Sequence, residues 1–175
     1  MRGSIEVHRY LTERQIPHEF YRLEHALRRL DEAAALLGLR QSQVVASEMF
    51  EAKRGSILAL TPAGKRPSAA AVAQAAGENS VRAATPSRAT TRTGFLASWL
   101  PPVGHERASR VVLDASLATL DVLYAAGGDP GVMLVIRATD LIRATSASIA
   151  ELAVPAGSDA ADVPVSAPDP SLLAG

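Results

Sequence analysis

Two pairs of apolar segments, each joined by a short turn that contains glycine, constrain the fold of this chain most. Residues 44–50 and 56–61 flank the turn Lys53-Arg54-Gly55. Residues 122–126 and 132–136 flank a Gly-Gly-Asp-Pro-Gly turn. Apolar runs separated by such turns predict β-hairpins. The glycines of the second turn lack the spacing of a phosphate-binding loop, so we interpret them as turn residues.

Short helices and further strands surround these hairpins. Ser4 and Ser68 are expected to cap helices, and Gly38 and Gly77 to end them, because serine and glycine are common at those positions. Further strands are expected over residues 18–23, 80–83 and 111–113, helices over residues 31–37, 69–76 and 138–144, and a last segment over residues 148–152 that closes the fold. Strands and helices do not alternate regularly, which favours an α+β fold with a mixed sheet over a doubly wound parallel one.

Residues 85–104 break this pattern, because Thr, Ser, Arg, Gly and Pro dominate there. A loop of this length inside a compact domain is usually functional or mobile. It contains Trp99, the single tryptophan of the chain. The indole is expected either to fill an apolar groove as part of the core or to stack on a nucleic-acid base.

The length of 175 residues suits one domain. We predict that residues 1–153 fold and that residues 154–175, in which Pro, Ala, Ser, Gly and Asp dominate, form a disordered tail. Residues 1–10 are too polar for a signal peptide, and no apolar run approaches about 20 residues, so we expect a cytoplasmic protein. The absence of cysteine excludes disulfides and thiolate chemistry.

The charges balance, with 18 basic and 18 acidic residues, which argues against a strongly basic nucleic-acid binder. The predicted tail carries aspartates but no basic residue follows Arg143, so the folded part is slightly cationic. Nearly all of the basic residues are arginine, which can hold phosphate through two parallel hydrogen bonds. A codon bias toward arginine accounts for this composition without any function.

No chemical site is established by residue spacing alone. The four histidines lack the paired spacing of a zinc site, so we expect no metal. His105 follows the stiff turn Pro101-Pro102-Val103-Gly104, which could aim its ring, and a solvated histidine is the alternative. Asp114 ends an apolar strand, where its carboxylate could position a substrate or cap the turn at Ser116.

Four stretches, spread over about residues 5–153, carry a resemblance to a known family. They are Ile16-Pro17-His18-Glu19-Phe20 with Glu24-His25 and Glu32-Ala33-Ala34; Gln43-Val44-Val45; Thr93-Gly94-Phe95 with Pro102-Val103-Gly104-His105; and Asp114-Ala115-Ser116-Leu117 with Leu123-Tyr124-Ala125-Ala126-Gly127 and Asp140-Leu141-Ile142-Arg143. Each stretch alone is weak evidence for a family, but the order and spacing of the four stretches together are specific. On these residues the chain resembles the YbaK family, also called the prolyl-tRNA synthetase-associated domain.

The resemblance implies a curved, barrel-like mixed sheet surrounded by short helices. It also implies hydrolysis of the ester that joins a wrong amino acid to the 3′ end of a tRNA, without a metal or cofactor. That tRNA end would be the main partner, with an aminoacyl-tRNA synthetase or an elongation factor as further candidates, and no membrane is involved. The matched positions give catalytic roles to Gly94, Gly104, His105 and Ser47. They give substrate contacts to Ala46, His25, Phe95, Ser98, Trp99, Pro102, Asp114, Ala125 and Gly127.

The chain departs from the family pattern at this expected site. Members usually carry a lysine where this chain has Ala46, and a glycine pair where it has Ser98-Trp99. A tyrosine and a serine of the family are replaced by Leu23 and Ala125. Losing one donor that stabilises an oxyanion typically costs about 3 kcal/mol in the reaction barrier. Several such losses indicate a changed substrate or a weakened activity.

Three functions therefore stay open. The first is an aminoacyl-tRNA deacylase with an altered site, which predicts an open cleft rimmed by Arg54, Arg92 and Arg107. The second is a catalytically inactive binding or regulatory module, which predicts a pocket closed by Trp99. The third is hydrolysis of another small acyl ester without RNA. The first two require the segment around Trp99 to fold over the strand that contains Ala46.

Overall fold

The computed structural model describes residues 1–24, 27 and 29–155. His25 and residues 156–175, most of the predicted tail, lie outside the described residues. The helices are α1 Ser4–Glu13, α2 Leu30–Leu36, α3 Ala69–Ala76, α4 Pro86–Thr93, α5 Ala115–Ala118 and α6 Ala138–Thr145, with single 3₁₀ turns at Gln41–Gln43 and Ala97–Trp99. The strands are β1 Glu19–Arg22, β2 Val44–Ala52, β3 Gly55–Pro62, β4 Lys65–Pro67, β5 Val81–Ala83, β6 Arg110–Asp114, β7 Val122–Ala126, β8 Val132–Arg137, β9 Ser148–Ala150 and β10 Ala153–Pro155.

Eight of the described strands form one mixed sheet. The order is β1-β8-β7-β2-β3-β6-β9, and β5 pairs with the last residues of β2. The two predicted hairpins, β2–β3 and β7–β8, are antiparallel, whereas β2–β7, β3–β6 and β6–β9 are parallel. The prediction of an α+β fold with a mixed sheet is therefore confirmed. A separate ribbon of β4 and β10 extends to Pro155, two residues into the predicted tail.

The side chains of β3 point alternately to the two faces of the sheet, and each face carries its own apolar cluster. Leu58 and Leu60 pack in the main cluster with Val7 and Leu11 of α1, whereas Ile57 packs on the other face with α3. Successive side chains of a strand point to opposite faces, so one apolar strand serves both clusters. Burying a leucine side chain contributes about 1.5–3 kcal/mol, so these two clusters hold the sheet between its helices.

Residues 85–104 contain more regular structure than the sequence predicts. The side chain of Thr85 accepts a hydrogen bond from the N–H of Arg88, and Pro86 occupies the first turn of α4. Gly94 ends that helix with φ 82°, a left-handed conformation that glycine adopts readily. The prediction of an irregular segment was wrong for α4. The Thr and Arg residues of this helix show no apolar pattern, although capping residues are present at both of its ends.

The first helix begins differently from the prediction. Gly3, rather than Ser4, is the N-cap of α1. The N–H and hydroxyl of Ser4 both donate to one carboxylate oxygen of Asp129, at 2.9 and 2.6 Å. The start of the chain is thereby fixed to the β7–β8 turn, a long-range contact that local sequence could not indicate. No helix among the described residues is long and apolar enough to cross a membrane.

Candidate functional site

The strand β2 has an opening along one edge. On one side it pairs with β3 from Val45 to Ala52. On the other side, Val44 and Val45 pair with β7, and the pairing with β5 begins only at Phe50. Within the described part of the chain, residues 46–48 have no strand partner on this second edge. Unpaired strand edges offer backbone donors and acceptors to a ligand.

Ser47 lies in this opening with an unsatisfied hydroxyl. Its Oγ is buried and makes no hydrogen bond to any described residue. A buried polar atom without a partner typically costs about 1–3 kcal/mol, so natural proteins keep few of them. Because side chains alternate along a strand, Ser47 shares a face of β2 with Met49 and Glu51. The hydroxyl could therefore meet a ligand that enters along that face.

Met49 and Glu51 form part of a cleft of about 330 Å³ between β2 and α4. We call it the arginine cleft, because its lining residues are Met49, Glu51, Ala84, Arg88, Thr91, Arg92 and Arg107. Hydrogen bonds from Arg82 and Arg88 lower the pKa of the Glu51 carboxyl, so this group is ionised at neutral pH. The cleft combines an apolar wall with a cationic rim.

The cleft matches the expected arginine rim in part. Arg92 and Arg107 line it, but Arg54 instead donates to Glu78 Oε1 at 3.0 Å. Sequence analysis did not identify Arg88. The signal was present, because a helix that begins after Thr85 would bring Arg88 and Arg92 onto one face, four residues apart.

Trp99 is a buried core residue, which confirms one of the two sequence interpretations. Its side chain packs against Ala33 of α2, Ala126 and Met133. Its indole Nε1 donates to the carbonyl of Val132 at 3.0 Å. The neighbouring Ser98 is exposed, so the two residues that replace the family's glycine pair point in different directions.

Trp99 lies close to the opening in the sheet. Val44 pairs with Tyr124 and Val45 with Ala125, so continued pairing would place Ala46 opposite Ala126. Trp99 packs on that same Ala126. The segment of Trp99 and the strand of Ala46 therefore lie on the same side of the molecule, and the indole fills space between α2 and the β7–β8 hairpin.

Gly94, Phe95 and Gly104 are joined to the N-terminal segment rather than to the arginine cleft. The backbone N–H of Arg2 donates to Gly94 O at 2.8 Å, and its Nε donates to Gly104 O at 2.9 Å. The N–H of Gly94 donates to Thr90 O at the end of α4. Gly104 packs closely on the backbone of α1, and Phe95 is fully buried in the main core. These contacts engage both glycine carbonyls and the N–H of Gly94, one of the backbone donors that were expected to face the ester.

His105 lies on the side of the molecule that α1 and α6 cover. Its Nε2 is 2.7 Å from Pro101 O, so this nitrogen carries the proton, and its ring stands 5.9 Å from that of Phe95. Burial lowers the pKa of His105 below its ordinary value, so the ring is neutral at pH 7. Pro102 and His105 line a cavity of about 90 Å³ whose walls include neither Ala46 nor Ser98.

Asp114 is buried and its carboxylate is fully engaged. One oxygen accepts the N–H groups of Leu152 and Ala153 at 2.8 and 2.9 Å. The other accepts the N–H and hydroxyl of Ser116, as the capping interpretation predicted. Burial alone would raise the pKa of Asp114, but these hydrogen bonds outweigh it and hold the pKa below its usual value. The carboxylate joins β6 to the segment before β10.

We expect Asp114→Ala to lower the free energy of unfolding by about 2 kcal/mol at pH 7, because two buried N–H groups lose a charged acceptor. The folded state favours the ionised carboxylate. Its contribution is therefore present above the unfolded pKa of about 3.9 and disappears as the pH falls through the lower folded pKa. Urea denaturation of both proteins from pH 7 to pH 3 measures this. A stability difference that stays constant at the acid end would contradict the assignment, and Ser116→Ala is the control that keeps the carboxylate.

The remaining predicted residues lie in the core or in the turn. Ala125 is buried in the main cluster beside its strand partner Val45. Gly127 closes the β7–β8 hairpin by donating its N–H to Val132 O at 2.7 Å, which confirms the turn interpretation. The structure thus places Ala46 and Ser47 at successive positions of the open edge of β2, on opposite faces of the strand, with Trp99 packed near the end of β7 that Ala46 approaches, and it places His105 and Asp114 elsewhere.

Comparison with known proteins relates this architecture to a defined family. A family model described as an aminoacyl-tRNA editing domain matches residues 24–144. This range contains the opening in β2, the arginine cleft and Trp99.

Two solved structures are similar in fold to this chain. The hypothetical protein APE2540 superposes with a TM-score of 0.79 at 25% identity, covering 85% of this chain and 99% of the other. A protein described as a candidate trans-editing enzyme for prolyl-tRNA synthetase superposes with a TM-score of 0.76 at 28% identity, covering 85% of this chain and 95% of the other.

Proposed function

Because the chain belongs to the family of aminoacyl-tRNA editing domains, we propose that it hydrolyses the ester between an amino acid and the 3′ end of a tRNA. The oxygen of a water molecule, activated by a neighbouring ribose hydroxyl or attacking directly, adds to the ester carbonyl carbon. The bond from that carbon to the ribose oxygen breaks, and the proton from water ends on the ribose oxygen. The products are a free amino acid and an uncharged tRNA, and the reaction needs no redox partner.

The observation that carries this proposal is the opening in β2 with the unpartnered Ser47 hydroxyl inside the family-matched range. An ester carbonyl or an amino group at this point would give the hydroxyl the partner that it lacks. Backbone groups of residues 46–48 that point to the edge opposite β3 offer further hydrogen-bond partners. An editing site must hold a small polar acyl group, and these groups suit that task.

The proposed activity is weak or has an unusual substrate. Ala46 supplies no charge at the position where the resemblance leads one to expect lysine. The N–H of Gly94 is already bonded to Thr90 O, and Gly104 lines the small cavity beside His105 rather than the opening in β2, so neither is placed to stabilise an oxyanion at Ser47. Ser47 and the backbone of the opening are then the remaining candidates for that role.

A second candidate function is a catalytically inactive binding module of the same fold. The position of Trp99 favours it, because the indole fills the space between α2 and the β7–β8 hairpin. Such a module would bind an RNA end or an aminoacyl group without turnover.

Deacylation assays against a panel of mischarged tRNAs distinguish these functions. We expect turnover above the buffer rate for at least one tRNA, and most readily for a small amino acid, since Trp99 restricts the space. Absence of turnover for every member of the panel, together with measurable tRNA binding, would favour the inactive module.

The Ser47→Ala variant separates a functional hydroxyl from a structural one. We expect kcat/KM for deacylation to fall about tenfold, as for the loss of one hydrogen bond of about 1.4 kcal/mol. The melting temperature should stay equal or rise slightly, because the removed hydroxyl has no partner among the described residues. Ser109→Ala, which removes a hydroxyl bonded to Ser56 instead, is the matched control. An unchanged kcat/KM in Ser47→Ala would remove this residue from the site.

A further inference from the structure

The arginine cleft carries more positive charge than its own carboxylate balances. Glu51 is the single carboxylate among the described residues that line it. That carboxylate is shared between Arg88 and Arg82, which donates to it at 3.0 Å from the neighbouring strand β5. Arg92 and Arg107 line the same cleft, so four guanidinium groups lie in or beside a cleft that holds one carboxylate.

Two of these arginines are available to an anion. Arg92 donates its Nε to the hydroxyl of Ser56 and one terminal nitrogen to Ala108 O at 3.3 Å. These acceptors are neutral, so they orient the guanidinium without cancelling its charge. Arg107 is exposed, and its side chain forms no ion pair or hydrogen bond within the described residues.

The two arginines line the cleft from different elements. Arg92 belongs to α4, whereas Arg107 belongs to the loop that precedes β6. The volume of about 330 Å³ suits a group the size of a nucleotide and excludes an RNA double helix. Met49 and Ala84 supply apolar surface for a ribose or a base. A guanidinium binds phosphate oxygens through a planar pair of N–H donors.

We propose that the arginine cleft binds phosphodiester groups of the single-stranded RNA end whose terminal nucleotide reaches Ser47. This inference rests on the proposed deacylase function and names the subsite that would hold its RNA. Ser47 and Met49 share one face of β2 and lie about 7 Å apart along the strand. A strand that leaves the Ser47 opening along this face therefore passes directly into the cleft.

The test is binding of a fluorescent single-stranded oligoribonucleotide ending in CCA, measured by anisotropy over a range of KCl concentrations. Arg107→Ala should raise Kd about fivefold at 0.1 M salt and reduce the slope of log Kd against log salt by about 0.7. Arg92→Ala should act similarly. Arg107→Ala breaks no contact in the described structure, so its fold is preserved. Arg9→Ala removes the same charge from an exposed position of α1 outside the cleft and should leave both quantities unchanged.

The outcomes separate this inference from the proposed function. RNA binding that depends on Arg92 and Arg107 but is accompanied by no deacylation supports the subsite and removes the deacylase. Deacylation with a KM that none of these substitutions changes supports the deacylase and overturns the subsite. Inorganic phosphate, compared with KCl of equal ionic strength, should displace the oligonucleotide only at concentrations far above the Kd of the oligonucleotide, because the free anion lacks the ribose and base contacts. Strong displacement by phosphate would overturn the assignment to RNA and indicate a site for the free anion.

Discussion

Ala46→Lys is expected to raise kcat for deacylation about 100-fold. A single preorganised donor at a developing oxyanion is worth about 3 kcal/mol in the barrier, which corresponds to this factor. Ala46 is half-buried at the opening in β2, where residues 46–48 pair with β3 on one edge and have no strand partner on the other edge within the described structure. Residue 46 projects from the face of β2 opposite Ser47, so the long, flexible lysine side chain would have to carry its ammonium group around the open strand edge to the place where the ester is proposed to react.

Kinetic constants show which step the lysine affects. A lysine that stabilises the oxyanion raises kcat, because the charge that it meets exists only in the transition state. A lysine that merely attracts RNA phosphate lowers KM and leaves kcat unchanged. Single-turnover rates with the best mischarged tRNA of the panel give the chemical step directly.

Ala46→Met is the matched control for this experiment. Methionine has nearly the length of lysine and no charge, so it reproduces the added bulk beside Thr61, the strand partner of residue 46. An equal rise in both variants, or no rise with lysine, would show that position 46 does not face the reacting ester. Thermal unfolding of both variants checks that the added side chain leaves the fold intact.

Local signals in the sequence were sufficient for most of the fold. Ser68 caps α3 and Gly77 ends it, as predicted, because both signals act within one helical turn. The hairpins followed from turn residues between apolar runs. The contact of Ser4 with Asp129 joins residues 125 positions apart, and no local pattern encodes such a pair.

The site was harder to predict than the fold. Sequence resemblance placed Ser47 and Trp99 in one predicted site with His105 and Asp114, but the last two residues pack elsewhere. The sequence does not show whether a polar side chain faces a cleft or forms a hydrogen bond with a backbone group inside the protein, as those of His105 and Asp114 do. Arg88 was missed for the opposite reason, because its position on a cleft wall depends on α4, whose regular structure was not predicted.

Trp99→Ala is expected to lower the free energy of unfolding by about 4 kcal/mol. The substitution removes a fully buried indole from the cluster of Ala33, Ala126 and Met133 and leaves a cavity. It also leaves Val132 O without the donor at 3.0 Å. Trp99→Phe keeps most of the ring and loses mainly that hydrogen bond, so it should cost about 1 kcal/mol. Urea denaturation at pH 7 measures both variants.

The same variants decide whether the indole limits the substrate. If the space that Trp99 occupies belongs to the acyl pocket, Trp99→Ala should shift deacylation toward tRNAs that carry larger amino acids, whereas Trp99→Phe should keep the original preference. The assay is best run well below the melting temperature of the weaker variant, because only about 5–15 kcal/mol stabilises a domain of this kind. A preference that stays fixed while stability falls would mean that Trp99 is only a core residue, and that the pocket lies on the Ser47 side of β2.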